Sequence, residues 1–369
     1  MTGRAGLLCG LLLLASVLSG CWDNRPIDAR APVLMLGVGP APHGRVSVFL
    51  ETPSPSGLMS LTNAAGGGGS GPSFYVLTGT GGTVLTALSN AETTSDRDIY
   101  LGQTGMVILS TKLTPMELNM TLLTLARLGP FSKTAYMGVT NVPLPQFMSF
   151  TPEESKLPAL YFLTAFACSH CLPVNLARTV WQAEEARITP GASLWFPLIT
   201  PQKTGYVIRQ AALYRSDRLV RVLSPAATLL FGLATQHTSK AALDLPPIQG
   251  VPVSVRAISA TTRYTVQWTH GRLHITLAIQ AQGVLDVLGE GLATSSVLTR
   301  LESEVSARIA GGTLAMLRQL QALGVDPVGF GRAFLYRHPE LRPQWPSLYR
   351  HAVIHVQVTT AIHNIGDVT

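Results

Sequence analysis

Charge is in short supply in this 369-residue chain. Asp, Glu, Lys and Arg make up 13% of it, and lysine occurs only at Lys112, Lys133, Lys156, Lys203 and Lys240. The formal balance of +7 is carried mostly by arginines set one or two at a time. Without a clustered basic stripe the chain lacks the footprint of a nucleic-acid binder, and nucleic acid is rejected as a partner. Cysteine is as scarce, with four in all, so no second pair exists to complete a zinc site with Cys168-Ser-His-Cys171. The glycines of "GTGGT" (79–83) are followed by no Lys-Ser/Thr and lack the third glycine of a dinucleotide fingerprint. They read as a strand-to-helix turn and not as a phosphate cradle. The spacing of His351 and His355 would suit a zincin helix, but the Glu after the first His is missing and the surrounding alternation is that of a strand. No Ser/His/Asp order, carboxylate pair or metal set asks for catalysis. The chain reads as non-enzymatic, with no catalytic residue, metal or cofactor expected.

A long apolar run is missing too. Ala5 to Leu18, behind the single charge of Arg4, gives about 14 residues, short of the roughly 20 that a spanning helix needs. A short basic start and such an apolar core read as an export signal. It exits through Leu18-Ser19-Gly20-Cys21, an aliphatic residue, two small ones and a cysteine, which is a lipobox. Cys21 is thus expected to carry diacylglycerol and to become the mature N-terminus, anchoring an exported globular protein to a membrane without crossing it. Trp22, Asp23 and Arg25 follow at once; Trp favours the headgroup layer and Arg meets lipid phosphates. The competing place for Trp22 is a buried core.

What remains is ample for folding: 46% hydrophobic residues over a length that predicts two or three domains. The expected fold is mixed α/β or α+β and multidomain, with mostly antiparallel or mixed sheets flanked by helices. Residues 1–20 are the signal, 21–30 a tether, 31–200 an N-terminal α/β region of one or two subdomains, and 205–369 a C-terminal α/β domain. The stretch 51–73, with Gly66 to Gly71 in it, reads as a flexible excursion within the first region. "TPGASLWFPLITPQKTG" shows no period and marks the boundary.

Helices are signalled by the capping box Thr114-Pro115-Met116-Glu117, ahead of Leu118, Leu122, Leu125 and Leu128, and by a similar start at Thr151-Pro152 leading to about Arg187 with interruptions near Pro158 and Pro173. In the second half, Tyr206–Tyr214 and Leu219–Val222 pair around Ser216-Asp217. Three strands follow at 251–259, 262–268 and 273–281, the last entered through His270-Gly271. A long helix spans about 296–323. The chain closes with "HAVIHVQVTTAIH", an antiparallel strand over a core with one wet side. Cys168 and Cys171 fall near the end of the apolar helix "LPALYFLTAFACSHCLP" instead of opening one. They read first as structural or incidental, then as a local disulfide, and last as a metal or catalytic thiol pair.

Several stretches together resemble one family, the Ger(x)C lipoproteins, C subunits of spore nutrient-germinant receptors. In that family the lipobox Cys is followed by Trp-Asp and a basic residue, as in Cys21-Trp22-Asp23-Asn24-Arg25. "GTGGTVLTALSN", "RDIYLGQTGMVIL", "QAALYRSDRLVRVLSPAATLLFGL" and "DPVGFGRAFLYRHPELRPQW" match further family segments in the family's order. Gln103 stands where the family leads one to expect His, and "GPFSKTAYMG" replaces an Arg-rich stretch. The resemblance implies a non-enzymatic lipoprotein on the outer face of the inner spore membrane. It would work there with a membrane-embedded A subunit and a transporter-like B subunit in sensing small nutrients; direct germinant binding by this subunit does not follow from it. The alternative is an independent lipoprotein that binds a small solute or peptide in a cleft between the halves, near Pro197 to Gly205.

Overall fold

The computed structural model describes residues 29–54, 72–169, 171–235, 237, 240–248, 251–287 and 295–364. The signal segment, Cys21, Trp22, Asp23 and Arg25 lie outside the described residues, as does most of the Gly-rich excursion. The first half contains β1 (Arg30–Pro32), β2 (Met35–Ala41), β3 (Arg45–Pro53), β4 (Phe74–Gly81), α1 (Val84–Glu92), β5 (Asp98–Tyr100) and β6 (Met106–Ser110). It continues with α2 (Pro115–Arg127), β7 (Tyr136–Thr140), α3 (Leu144–Ser149), α4 (Pro158–Ala167), α5 (Val180–Ile188) and β8 (Trp195–Gln202). Then come β9 (Gly205–Arg215), β10 (Arg218–Val222), α6 (Pro225–Thr235), β11 (Ala241–Ile248), β12 (Val251–Thr269) and β13 (Arg272–Val287). The chain ends with α7 (Ser295–Leu323), α8 (Phe330–Arg337), α9 (Trp345–Arg350) and β14 (Val353–Asn364).

An eight-stranded sheet has the order β10-β9-β8-β7-β6-β2-β3-β4. Its centre, β2, β6, β7 and β8, is parallel, and antiparallel hairpins extend it on both sides. Central strands are covered on both faces, so β6 "MVILS" is buried at every position and reads as a continuous apolar run. On one face Val107 and Leu109 pack with Leu118, Leu122 and Ala183 from α2 and α5. On the other, Met106 and Ile108 pack with Phe147 and Phe162 from α3 and α4. The second sheet, β11-β12-β13-β14, carries α7, whose Leu301, Val305, Ile309, Leu317 and Leu320 are buried. The helix is continuous through Gly311-Gly312. The missing side chain of Gly312 makes room for Leu230 of α6. Gly324 ends α7 in the left-handed region, its N–H donating to Gln321 O and that of Val325 to Leu320 O, a Schellman cap. Mixed sheets flanked by helices are thus what the chain builds.

Four local expectations change. The stretch without a period is β8, buried from Trp195 to Ile199, and its hairpin β9–β10 continues the N-terminal sheet. The sheet therefore crosses the boundary drawn at 200–205; burial on both faces erased the alternation, and Pro197 and Pro201 imitated a linker. No helix starts at Thr151. The Glu153 N–H donates to Thr204 O, and Leu157, extended because a proline follows it, delays α4 until Pro158. The strands expected at 251–259 and 262–268 are one strand, β12, with two residues opposing one between Arg256 and Ser259 and Ala257 at φ 53°. β14 is parallel to β13, since the crossover through α7 returns the chain in the same direction.

Candidate functional site

Between the two halves lies a cleft of about 470 Å³. Its first wall is set by the chain entering α5. Arg178 O accepts from Met137 N–H at 2.7 Å, and the Val180 and Trp181 N–H groups donate to Ala135 O and Lys133 O, both at 3.0 Å. Thr179 then caps α5, with Gln182 Oε1 accepting from Thr179 N–H at 2.9 Å. The backbone at Arg178 is thereby fixed, and its guanidinium lies over the Trp195 ring, 4.6 Å from the centroid. Arg178 Nη2 donates to Gln182 O at 3.1 Å, while the buried Nε has no partner among the described residues. Burial pulls the Arg178 pKa down to about 10, opposed by the charge of Glu185.

Trp195 in turn meets Phe231 and His237 edge-on, at 5.2 and 5.6 Å. His237 is held by its backbone: its N–H donates to Gly232 O at 2.8 Å and its carbonyl accepts from Asn175 N–H at 2.7 Å. Burial lowers its pKa and so favours the neutral imidazole, with a hydrogen bond to Thr235 opposing this and the nearby Arg178 charge reinforcing it. Across the cleft stand Thr262 and Tyr264 of β12, with Tyr264 O–H donating to Gly329 O at 3.2 Å. Glu185 of α5 and Arg332 of α8 pair at 2.8 Å, joining the halves at the rim.

The "DPVGFG" turn supports this second wall. Asp326 is fully buried, and its carboxylate accepts from the N–H groups of Gly329 at 2.9 Å and Gly331 at 2.7 Å. Burial pushes its pKa up to about 7 against these donors. Its own N–H donates to Ser193 Oγ at 2.8 Å and its carbonyl accepts from Ser193 N–H at 2.9 Å, tying the turn to the loop before β8. A side chain at Gly331 would run into Trp345 and the backbone of Gly191, itself at φ 74°. Glycine at both places lets the halves meet backbone to backbone.

Of the residues singled out in the sequence, Cys168 and Cys171 form a disulfide at the C-terminal end of α4, with Cα atoms 5.4 Å apart. Neither lines the cleft. Residues 197–205, where a cleft was expected, are strand and turn. Arg178, Glu185, Trp195, His237 and Arg332 were not foreseen as a set. The Thr179/Gln182 capping box was the available signal, since it starts a new helix just after Arg178. Among the described residues no group of three or more His, Cys, Asp or Glu side chains could hold a metal.

Residues 23–201 match the family described as spore germination protein N-terminal domain, and residues 209–366 match spore germination B3/GerAC like, C-terminal. The Bacillus subtilis protein YfkR, assigned provisionally to spore germination, is 22% identical over 96% of this chain and 95% of its own length. Spore germination protein KC of the same organism is 22% identical over 94% and 90%. The crystal structure of the GerBC protein superposes with a TM-score of 0.57 at 13% identity, covering 89% of this chain and 97% of that one. That likeness concerns the fold.

Proposed function

Since the chain belongs to the Ger(x)C family of spore germination proteins, we propose that it serves as the lipid-anchored C subunit of a spore germinant receptor. A role in spore germination follows from the family; the anchor, the partners and the membrane face are the proposed parts. The carrying observation is the match to both germination domains in order, over residues 23–201 and 209–366, beginning two residues behind Cys21 of the expected lipobox. In this reading Cys21 bears the diacylglyceryl group and Trp22, Asp23 and Arg25 orient the body at the headgroups. The subunit sits on the outer face of the inner spore membrane beside membrane-embedded A and B subunits. It contributes binding and not catalysis. Among the described residues no helix is long and apolar enough to cross a membrane. Two acyl chains on one cysteine suffice for stable anchoring.

The test is co-purification of the full chain from detergent-solubilised membranes of its sporulating host, with mass spectrometry of the N-terminus and of every partner. A diacylated Cys21 together with two polytopic proteins is the expected result. A lipidated chain that emerges alone with a small molecule would replace this reading by the independent solute-binding lipoprotein, which the cleft between the halves favours.

A further inference from the structure

The cleft between the halves holds an imbalance of charge. Two guanidiniums, Arg178 and Arg332, line it against a single carboxylate, Glu185, and that carboxylate is engaged with Arg332 at 2.8 Å. His237 adds little charge, since burial favours its neutral form. Asp326 lies behind the turn and directs its oxygens at backbone N–H groups. Arg178 is thus left with no ion-pair partner among the described residues, although it is only 9% exposed. Leaving a buried cation unpaired is costly, and buried charges are as a rule paired or neutralised. Arginine does not take the second route, because it stays protonated at any ordinary pH. Stacking on Trp195, the Gln182 carbonyl and the nearby charge of Glu185, which is shared with Arg332, compensate only in part, and Nε remains without an acceptor.

The remaining lining is of small apolar walls and hydroxyls, such as Ala192, Ala234, Ala333, Thr189 and Thr235. About 470 Å³ is within the range of small-molecule sites, which pair an apolar lining with a few fixed polar groups. We propose that this cleft is a binding site for a small organic monocarboxylate, whose carboxylate pairs with Arg178 and whose short apolar body rests among the alanines. The planar guanidinium fork matches a carboxylate, and one negative charge cancels the one excess positive charge. A ligand here would touch α5 and β8 from one side and β12 and α8 from the other. Its binding therefore stabilises the contact between the two halves.

The inference needs only the cleft and not a receptor partnership, so it and the function proposed above can fail separately. The lipidated full chain in detergent is titrated calorimetrically with acetate, butyrate, hexanoate and benzoate, and with the matching amides. Binding of at least one acid, at least tenfold tighter than its amide, is the expected result, with a rise in the thermal midpoint. Arg178→Gln should weaken that binding tenfold or more. Because removing a buried arginine could disturb folding, Ala333→Leu is the second variant; it fills the cleft from α8, leaves Arg178 in place, and should block the same acid. The proposal is overturned if no acid in the series binds, if amides bind as well as acids, or if both variants, folded by their circular dichroism, bind like the unmodified chain. Equal binding of inorganic phosphate would likewise overturn it, showing a general anion site and not a carboxylate site.

Discussion

Glu51 is wholly buried near the end of β3, beneath the first turn of α4. Its Oε1 accepts from Ala159 N–H at 3.2 Å, and its Oε2 has no partner among the described residues. Burial pushes its pKa up to about 8, with the Ala159 N–H pulling the other way, so the group is mostly neutral at pH 7. The folded chain thus holds this proton more tightly than the unfolded one, whose value is near 4.5. The stability it contributes is complete below about 4.5 and is lost as pH rises through about 8. Glu51→Gln keeps an acceptor for Ala159 and cannot ionise. Urea denaturation should show the variant close to the native chain near pH 5 and more stable by a few kcal/mol near pH 9, since each pKa unit is ~1.4 kcal/mol. A native chain equally stable at both pH values would contradict this. Asp326 asks for the opposite substitution effect. Asparagine there would turn an N–H₂ toward the donors of Gly329 or Gly331, at a cost of ~1–3 kcal/mol. Asp326→Asn should lower the thermal midpoint, and by more near pH 5 than near pH 8, because burial raises the native carboxyl to about 7 and its ionisation above that costs the native chain stability.

At the level of elements, β4 and α1 show what the glycines of "GTGGT" do. A side chain at Gly79 would collide with Ala87 O and Ala91 N, and one at Gly81 with Thr86 and the Ala87 backbone. Thr83 caps the helix through a box with Thr86. Gly79→Ala is therefore an overpacking change and should destabilise the chain by ~1–3 kcal/mol in urea denaturation. A neutral effect would mean that strand and helix can part more easily than their packing implies. The turn was legible as strand-to-helix because its exclusions are chemical: no lysine follows, and Val84 stands where a dinucleotide fingerprint has its third glycine. The box at Thr114–Glu117 was legible for the same reason, as its hydrogen bonds lie within four residues: Thr114 N–H donates to Glu117 Oε2 at 2.8 Å and Glu117 N–H to Thr114 Oγ1 at 3.3 Å. So were the turns at Ser216-Asp217 and His270-Gly271, both with positive φ at each central residue, as a two-residue hairpin requires. Elements whose form is decided at long range escaped. Thr151 has a start signal, but Pro158 and the bond to Thr204 decide where α4 begins. A cleft between the halves was expected, but its lining escaped, because Arg178, Trp195, His237 and Arg332 are brought together by both halves and share no local pattern.

Across the whole molecule the two halves are one folding problem. β9 and β10 follow the expected boundary yet complete the first sheet, while Trp195, Ala211 and Leu213 of that sheet, and Leu223 just after it, pack into the C-terminal core. Gly191 against Gly331 and Glu185 against Arg332 add a close backbone contact and an ion pair. A fragment of residues 29–202, cut near the end of the first family match, would strip β8 of the partner it pairs with from Trp195 to Gln202. β8 meets β7 only at Val139 and Leu198, so the cut leaves it almost without hydrogen-bonded support. Its buried "WFPLI" would then form an exposed apolar edge, the arrangement that promotes association between chains. Extending the fragment to residue 224 restores β9 and β10 but still uncovers Trp195, which loses Phe231 and His237, and Leu213, whose core cluster is built mostly from the second half. The expected order of behaviour follows. The 29–202 fragment should aggregate or melt without cooperativity, the 29–224 fragment should be folded but weaker, and the complete chain should unfold in one transition. Circular dichroism melts with light scattering would read all three. A cooperative, monodisperse 29–202 fragment would show that the first half folds alone and that β9–β10 are a late addition to its sheet.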